Sequence, residues 1–398
     1  MTYSIGNTII IRMQTEICPR INHYSNTVMK RTMFITMLAA ALVGSQVFAN
    51  YIPTTTDAAI PGDHSYAGAF SQSGDVSGAN VTINEEEDGG EDFSEITVYG
   101  GLSQNGSADG NSVTMTGGQV FAVYGGRGDD GHANNNTVTI SGGQAFYVVS
   151  ANPENGNANN NTVIMTGGSA TVVQGCEMSN AGDADGNNVY IAGGEIDGGV
   201  IGASADSGAA TNNRVHLVGA GASVTVGGAT YAGQAMQVGA IYAAMAEGAM
   251  TGNSIEIYGT GITAATLSGM QMVNFHIVDG VLLSQEAMVS LTSDGLDLTG
   301  VNLGLYNDDV QDWSAFDGKS ITLVQAAQAI TIDAGSLGEV AIKGTDGATV
   351  ATATLALGGS NDVLSLSNIK GVTPVPEPGT GVLGLLALGL LAGRRRKH

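Results

Sequence analysis

Apolar and polar residues alternate in short runs along the middle of the chain, and these runs recur with a period of about 25 residues. Each copy follows the frame Asn-x-Val-x-(Met/Ile)-x-Gly-Gly. Its asparagines are Asn111, Asn136, Asn161 and Asn187, with weaker copies at Asn213 and Asn253, and the successive separations are 25, 25, 26, 26 and 40. Because successive side chains of a strand point to opposite faces, the Asn, Val and Met or Ile of each copy share one face, and Ser and Thr occupy the other.

A second strand lies between copies, since Val98-Tyr99-Gly100-Gly101 recurs one period later as Val123-Tyr124-Gly125-Gly126. A unit of two short strands cannot bury its apolar face alone, but stacked units align their apolar residues into columns. We therefore predict an all-β fold: a right-handed parallel β-helix (β-solenoid) with an irregular C-terminal β cap. The alternative is an antiparallel up-and-down arrangement, because Gly-Gly pairs also form hairpin turns. The strict spacing favours the β-helix.

The repeat divides the body of the chain into three segments. Residues 96–261 form the predicted β-solenoid, preceded by an acidic, loosely ordered lead-in at residues 50–95. Residues 262–372 lose the frame but keep strand patterns, which predicts an irregular β region or cap. The extra residues of the last, longer copy, 231–252, are expected to form an enlarged loop with a helical portion around 243–249.

The N-terminus has the features of an export signal. Residues 29–49 contain a basic start at Lys30 and Arg31, a short apolar run and a Val-Phe-Ala sequence that ends at Ala49. This order predicts a secretory signal peptide that is cleaved after Ala49. Residues 1–28 fit no part of such a signal, and we interpret them as a start-site extension.

The C-terminus, residues 373–398, combines three parts in order. Pro376, Glu377 and Pro378 precede an apolar run over 379–393, which is followed by Arg394, Arg395 and Arg396. Prolines end preceding structure, an apolar run enters a bilayer as a helix, and basic residues stay cytoplasmic. A single apolar helix of this length spans ~22 Å, which is short for a permanent anchor in a ~30 Å hydrocarbon core.

This arrangement resembles the PEP-CTERM sorting signal of Gram-negative bacteria. The resemblance covers only the C-terminal segment 373–398 and implies recognition of Pro376, Glu377 and Pro378 by an exosortase-type membrane enzyme, with membrane contact through the apolar run. It also implies export through the inner membrane to the cell envelope, cell surface or extracellular matrix. The structural alternative is a simple C-terminal tail anchor, which the short apolar run disfavours.

Charge and cysteine content narrow the possible partners. Between Asn50 and Thr373 there are five basic and 34 acidic residues, a formal net charge of −29. Such a surface repels nucleic acid and keeps the protein soluble by self-repulsion. Cys176 is the only cysteine after the predicted cleavage site, so no internal disulfide forms in the mature chain.

Few residues suggest chemistry. A polysaccharide lyase needs a basic proton acceptor, and the repeats offer only Arg127 and Arg214. A hydrolase needs two placed carboxylates, and Asp183, Asp185 and Asp206 lie in Gly- and Ala-rich turns, where we interpret them as solvated. We therefore predict that the protein is not an enzyme.

Metal and adhesion motifs are equally sparse, and we predict no metal site and no cofactor. The run 125–130 resembles a single calcium-binding nonapeptide, and Asp183-Ala-Asp185 begins a calcium loop that lacks its distal Glu. The tripeptide Arg127-Gly128-Asp129 is interpreted as a chance match to an adhesion motif. The histidines, among them His132, His216 and His276, show no ligand spacing to a Cys or carboxylate.

The sequence thus predicts an exported structural or interaction protein of the cell envelope or extracellular matrix. Its expected partners are an exosortase-type sorting enzyme, the membrane at its C-terminal segment and, as a candidate ligand, exopolysaccharide. Two alternatives stay open: a carbohydrate-active β-helix enzyme (polysaccharide lyase or hydrolase) and a calcium-dependent adhesin.

Overall fold

The structure is a computed structural model. It describes residues 58–59, 65–84, 96–178, 180–279, 281, 286–308, 310, 312–316 and 318–372. The predicted signal peptide with Ala49, the predicted apolar helix and the sorting residues from Pro376 to Arg396 lie outside the described residues.

Strands that carry the Asn-x-Val frame pair side by side in a parallel file, here called the frame file. Val113 lies opposite Val138, and Val138 lies opposite Val163. The file contains Asn80–Ile83, the first halves of Ser112–Gly128, Thr137–Ala151, Thr162–Gln174 and Asn188–Ile201, and then Arg214–Val218, Ser254–Tyr258, Met272–Ile277 and Asn302–Asn307. Parallel pairing of successive copies excludes the antiparallel up-and-down alternative for these strands.

A second parallel file runs beside the frame file. It contains Ser65–Ser71, Thr97–Ser103, the second halves of the four long strands, Met236–Tyr242, Ile262–Ser268, Val289–Leu291 and Ile321–Gln325. In the long strands the chain turns from one file to the other at the second Gly of the frame. Gly118, Gly143, Gly168 and Gly194 have φ of 75°, 82°, 77° and 93°, a conformation that glycine adopts without the cost that Cβ imposes.

Two-residue strands link the files on the far side of each unit. One set contains Val76–Ser77, Ala108–Asp109, Ala158–Asn159, Ala184–Asp185, Ala210–Thr211 and Met250–Thr251. The other contains Glu177–Met178, Ser204–Ala205 and Met245–Ala246. In the first set the first two strands pair in parallel with each other and the last four form a second parallel sheet, and the three strands of the other set form a third. The units that contribute these strands therefore also stack through them.

The core is a set of vertical columns inside this stack. The valine position of the frame is at most 3% exposed from Val81 through Val113 to Val273, and the next inward position, from Ile83 through Met115 to Phe275, is at most 1% exposed. The predicted columns are therefore present, and the structure is all-β with a large, mostly parallel sheet.

The stack is longer at both ends than the predicted 96–261. It begins with Ser65–Ser71 and Asn80–Ile83, inside the predicted lead-in, because the side chains of Val81 and Ile83 occupy the apolar frame positions opposite Val113 and Met115. It continues through Asn302–Asn307, where Leu303 lies opposite Val273. The irregular spacing of these outer copies hides them in the sequence.

The prediction of an enlarged loop at 231–252 with helix around 243–249 is wrong. Met236–Tyr242, Met245–Ala246 and Met250–Thr251 are ordinary strands of the stack, and the extra residues form a β-hairpin, Ser223–Val226 with Ala229–Ala232. Its turn residues Gly227 and Gly228 both have positive φ, 59° and 86°, as a tight two-residue hairpin turn requires.

Antiparallel strands follow the last parallel units. Gly338–Lys343, Thr349–Gly358 and Val363–Gly371 form a meander, and its last strand pairs antiparallel with Ile321–Gln325 at the end of the second file. Further described elements are Ala58–Ala59, the parallel pair Leu296–Leu298 and Ile330–Ile332, and the 3-10 segments Trp313–Phe316 and Ala334–Ser336. Among the described residues, no helix has both the length and the apolar character to cross a bilayer.

Candidate functional site

The frame asparagines form a continuous buried file, here called the asparagine ladder. Asn111, Asn136, Asn161, Asn187, Asn213 and Asn253 are at most 1% exposed. In the middle of the ladder, Asn136 donates to the Asn161 Oδ1 from its backbone N at 2.8 Å and from its Nδ2 at 3.2 Å. Asn161 Nδ2 in turn donates to Asn187 Oδ1 at 2.9 Å and to the Ala133 carbonyl at 2.9 Å.

Both ends of the ladder have partners. Asn111 Oδ1 accepts from the Ala79 backbone N at 3.0 Å. Gln271 takes the place of the next asparagine, and its Oε1 accepts from the backbone N and the Nδ2 of Asn253, both at 3.1 Å. Every amide of the ladder is therefore used to hold one unit on the next, which is the arrangement that buried polar groups require.

The turn residues considered for catalysis or calcium make the same kind of link at the surface. Asp183 accepts from the Ala209 backbone N at 2.9 Å, and His132 Nδ1 accepts from the Asn157 backbone N at 2.9 Å. Asp185 accepts from Thr211 Oγ1 at 2.6 Å and from Asn212 Nδ2 at 2.9 Å. These side chains join adjacent units.

Arg127 and Asp206 lie near one further carboxylate, Glu177. Arg127 Nε donates to Asp129 Oδ1 at 2.7 Å, so the two charged side chains of the Arg-Gly-Asp tripeptide form an ion pair with each other. Asn152 Nδ2 donates to Glu177 Oε2 at 3.2 Å. Burial and then the charge of Asp206 raise the pKa of Glu177, while Arg127 opposes the shift.

A charged cluster on the outer face of the frame file was not predicted. His276 Nε2 lies 3.0 Å from Glu256 Oε2, and His276 Nδ1 lies 3.0 Å from Asp308 Oδ1. Glu256 Oε1 also accepts from Ser254 Oγ at 2.6 Å and from Asn274 Nδ2 at 2.9 Å. Because both ring nitrogens of His276 face carboxylates, the cluster favours the imidazolium form, in which both nitrogens donate.

The pKa values of the cluster follow from these contacts. Burial by itself would raise the pKa of Glu256, but hydrogen bonds from His276, Ser254 and Asn274 lower it to about 2. Burial would lower the pKa of His276, yet the hydrogen bonds to Asp308 and Glu256 raise it above its usual value. Both shifts favour the charged forms of Glu256 and His276 that make the ion pair.

Stacked rings extend this cluster along the file. Ring centroids of Tyr190 and His216 are 4.1 Å apart, and those of Tyr258 and His276 are 3.9 Å apart, both pairs nearly parallel. Burial lowers the pKa of His216 to about 3, and its Nε2 is buried without a hydrogen-bond partner. Among the residues that the structure describes, no group of three or more His, Cys, Asp or Glu is placed to hold a metal ion.

The sequence showed no ligand spacing between a histidine and a carboxylate, and the carboxylates that contact His276 are indeed remote from it in the chain. Glu256 and Asp308 are 20 and 32 positions away from His276 along the chain, separations without a local signal. The three residues meet because Glu256 and His276 belong to adjacent frame strands, and Asp308 directly follows the next one. The parallel register, once known, would have placed them on neighbouring strands.

The chain continues from the last described strand into the predicted sorting region. Residues 374–397 match the PEP-CTERM protein-sorting motif. This match contains Pro376, Glu377, Pro378 and the arginines that follow the apolar run, so the predicted resemblance is confirmed. Comparisons with curated proteins and with solved structures gave no match for the chain.

The PEP-CTERM motif indicates an exported protein that is sorted by an exosortase-type system and associates with the cell envelope or surface. It covers only residues 374–397 and carries no information about the β body. The role of the body has to be argued from its own residues.

Proposed function

We propose that the protein is a structural or interaction component of the envelope or extracellular matrix of a Gram-negative bacterium. In this proposal the stack is a right-handed parallel β-helix that the sorting system presents at the surface. The observation that carries it is the asparagine ladder, which fixes each unit on the next through buried hydrogen bonds. Such a ladder makes the stack resistant to bending or opening.

The dimensions suit display. Nine strands of the frame file, from Asn80–Ile83 to Asn302–Asn307, are separated by eight strand spacings. At ~4.8 Å each, they make a rod ~38 Å long. A body with 34 acidic and five basic residues between 50 and 373 repels its neighbours, so its outer surface stays available for exopolysaccharide or other matrix partners.

The turn carboxylates support a non-catalytic role. Asp183 and Asp185 are occupied by hydrogen bonds to the next unit. A hydrolase uses its two carboxylates on the substrate and on water, so side chains held in this way are poorly suited to that chemistry.

In this proposal residues 29–49 direct export of the chain, and residues 373–398 direct its sorting. The first is removed after Ala49, and the second brings the chain to an exosortase-type enzyme, with the apolar segment 379–393 in the membrane. Replacing Pro376 and Pro378 by alanine is expected to leave the C-terminus unprocessed, as read by mass spectrometry of both ends of the exported protein. An intact Arg-Arg-Arg-Lys-His end in the wild type would contradict sorting.

A carbohydrate-active enzyme is the second candidate, because Glu177 has a raised pKa beside Asp206. Glycosidases use two carboxyl groups, of which the general acid has a raised pKa. Loss of polysaccharide turnover in Glu177→Gln and Asp206→Asn, with turnover in the wild type, would establish this function. Absence of turnover by the wild type would favour the structural role. The third candidate function is a calcium-dependent adhesin. It predicts that the melting temperature falls when calcium is chelated.

A further inference from the structure

The β-hairpin of residues 223–232 belongs to neither of the two parallel files. It is a two-stranded sheet of its own, in which Val224 lies opposite Tyr231 and Thr225 lies opposite Thr230. It accounts for most of the extra length between Asn213 and Asn253, which are 40 positions apart where the preceding pair of frame asparagines is separated by 26. The stack does not need this insertion, since the regular strands continue on either side of it.

Both edges of the hairpin have free backbone groups. In an antiparallel pair, alternate residues of each strand direct their N–H and C=O away from the partner strand. Within the described part of the chain, no backbone hydrogen bond joins residues 223–226 or 229–232 to a third strand. The hairpin therefore offers two strand edges that are already extended.

Packing on one face holds the hairpin in position. Val224 and Tyr231 are half-buried against the main core. On the opposite face Ser223, Thr225 and Thr230 are exposed. A partner strand would thus meet an edge whose conformation is fixed before binding, which lowers the entropic cost of pairing.

The edges lack the features that usually prevent strand pairing. Natural edge strands carry charges, prolines or bulges. From Val215 to Ala246 the chain has no Asp, Glu, Lys, Arg or Pro. In a body with 34 acidic residues between 50 and 373, the hairpin itself therefore adds no charge to a contact between two copies.

We propose that the hairpin is a self-association element, in which one edge pairs antiparallel with the same edge of a second copy. Antiparallel pairing of identical strands obeys a two-fold axis, so the contact is self-complementary and closed. It converts two two-stranded hairpins into a four-stranded sheet, and sheets of three or more strands are stable where a lone hairpin is marginal. The proposal adds a partner, a second copy of this chain, and does not depend on sorting.

Cysteine cross-linking in the full chain tests the pairing. Cys18 is replaced by serine, and the buried Cys176 is kept. Thr225→Cys reports on one edge and Thr230→Cys on the other, because in a two-fold pair the equivalent residues of the paired edge lie close together. Mild oxidation in detergent, which suppresses association through the apolar tail, is expected to give disulfide-linked dimers for at least one variant, about fivefold above the exposed control Ser360→Cys.

A second substitution separates edge pairing from chance contact. Ser223→Lys in the Thr225→Cys background, and Ala232→Lys in the Thr230→Cys background, places a charge on the same edge strand as the cysteine and is expected to reduce the cross-linked fraction about fivefold or more. Circular dichroism and melting temperature check that each variant stays folded. The proposal is overturned if neither cysteine exceeds Ser360→Cys, if the lysine has no effect in folded variants, or if the linked partner in cells is a different polypeptide.

Discussion

Replacing Asn161 by alanine should reveal how much the asparagine ladder stabilises the stack. The substitution removes four side-chain hydrogen bonds: two accepted from Asn136 and two donated, to Asn187 and to the Ala133 carbonyl. The Asn136 side chain keeps its bond to the Ala108 carbonyl, and Asn187 Oδ1 still accepts from the Asn161 backbone N. The Asn136 backbone N–H is left without its acceptor.

The expected loss of unfolding free energy follows from these four bonds. An unpaired buried N–H costs roughly 1–3 kcal/mol, and each of the other three lost bonds contributes roughly 0.5–1.5 kcal/mol. The total is therefore about 2.5–7.5 kcal/mol, toward the lower end if water enters the vacated space.

Asn188→Ala is the matched control, because this neighbouring asparagine is half-buried and, among the described residues, its Nδ2 donates only to the nearby Gly186 carbonyl at 2.8 Å. It should cost less than about 1 kcal/mol. Denaturant unfolding followed by far-UV circular dichroism measures both variants against the wild type. If Asn161→Ala lost no more free energy than Asn188→Ala, the ladder would not be a source of stability.

Further predictions concern the charged cluster, the glycine turn between the two files and the core. Glu256→Gln should be most destabilising, relative to wild type, between about pH 4.5 and 6.5. The stabilisation from His276 is fully present below its unfolded pKa and is lost as the pH rises through its raised folded pKa. The stabilisation from Glu256 is fully present above its unfolded pKa and is lost as the pH falls toward its folded pKa of about 2. A pH-independent difference in unfolding free energy would contradict the ion pair. Gly143→Ala should lower the melting temperature far more than Gly300→Ala, since both have positive φ but only at Gly143 does a Cβ come within 2.6 Å of carbonyl oxygens. Met165→Ala should cost about 2–5 kcal/mol of unfolding free energy, and a much smaller loss would mean that the column is loosely packed.

The repeat itself was predictable from the sequence. Alternation within the frame identified Val113 and Met115 as inward residues, and the constant spacing of the copies placed Val138 and Val163 beside them. This worked because a period of two fixes the facing of a strand residue, and a constant unit length fixes its neighbour. The sorting motif was predictable for another reason: it is defined by the order of residues along the chain and not by tertiary contacts.

The outer limits of the stack and the hairpin were not predicted. Asn80–Ile83 and Asn302–Asn307 join the frame file although their spacing to the next copy departs from the regular period. The insertion was predicted as a loop at 231–252 and not as a hairpin at 223–232, although Gly227-Gly228 between two alternating runs is a local turn signal. A constant spacing in the sequence reveals only units of regular length. Strands of neighbouring units can still pair when residues are inserted in the turns between the two files.

The sequence by itself determined which frame residues face inward and that the chain carries a sorting signal, because these depend on local periodicity and on a linear motif. Only the tertiary structure decided that Glu256, His276 and Asp308 form one ionic cluster and that Asp183 and Asp185 are occupied by the neighbouring unit. Those contacts depend on which unit stacks on which and with what register, and that is set by burial of the whole column rather than by any short segment.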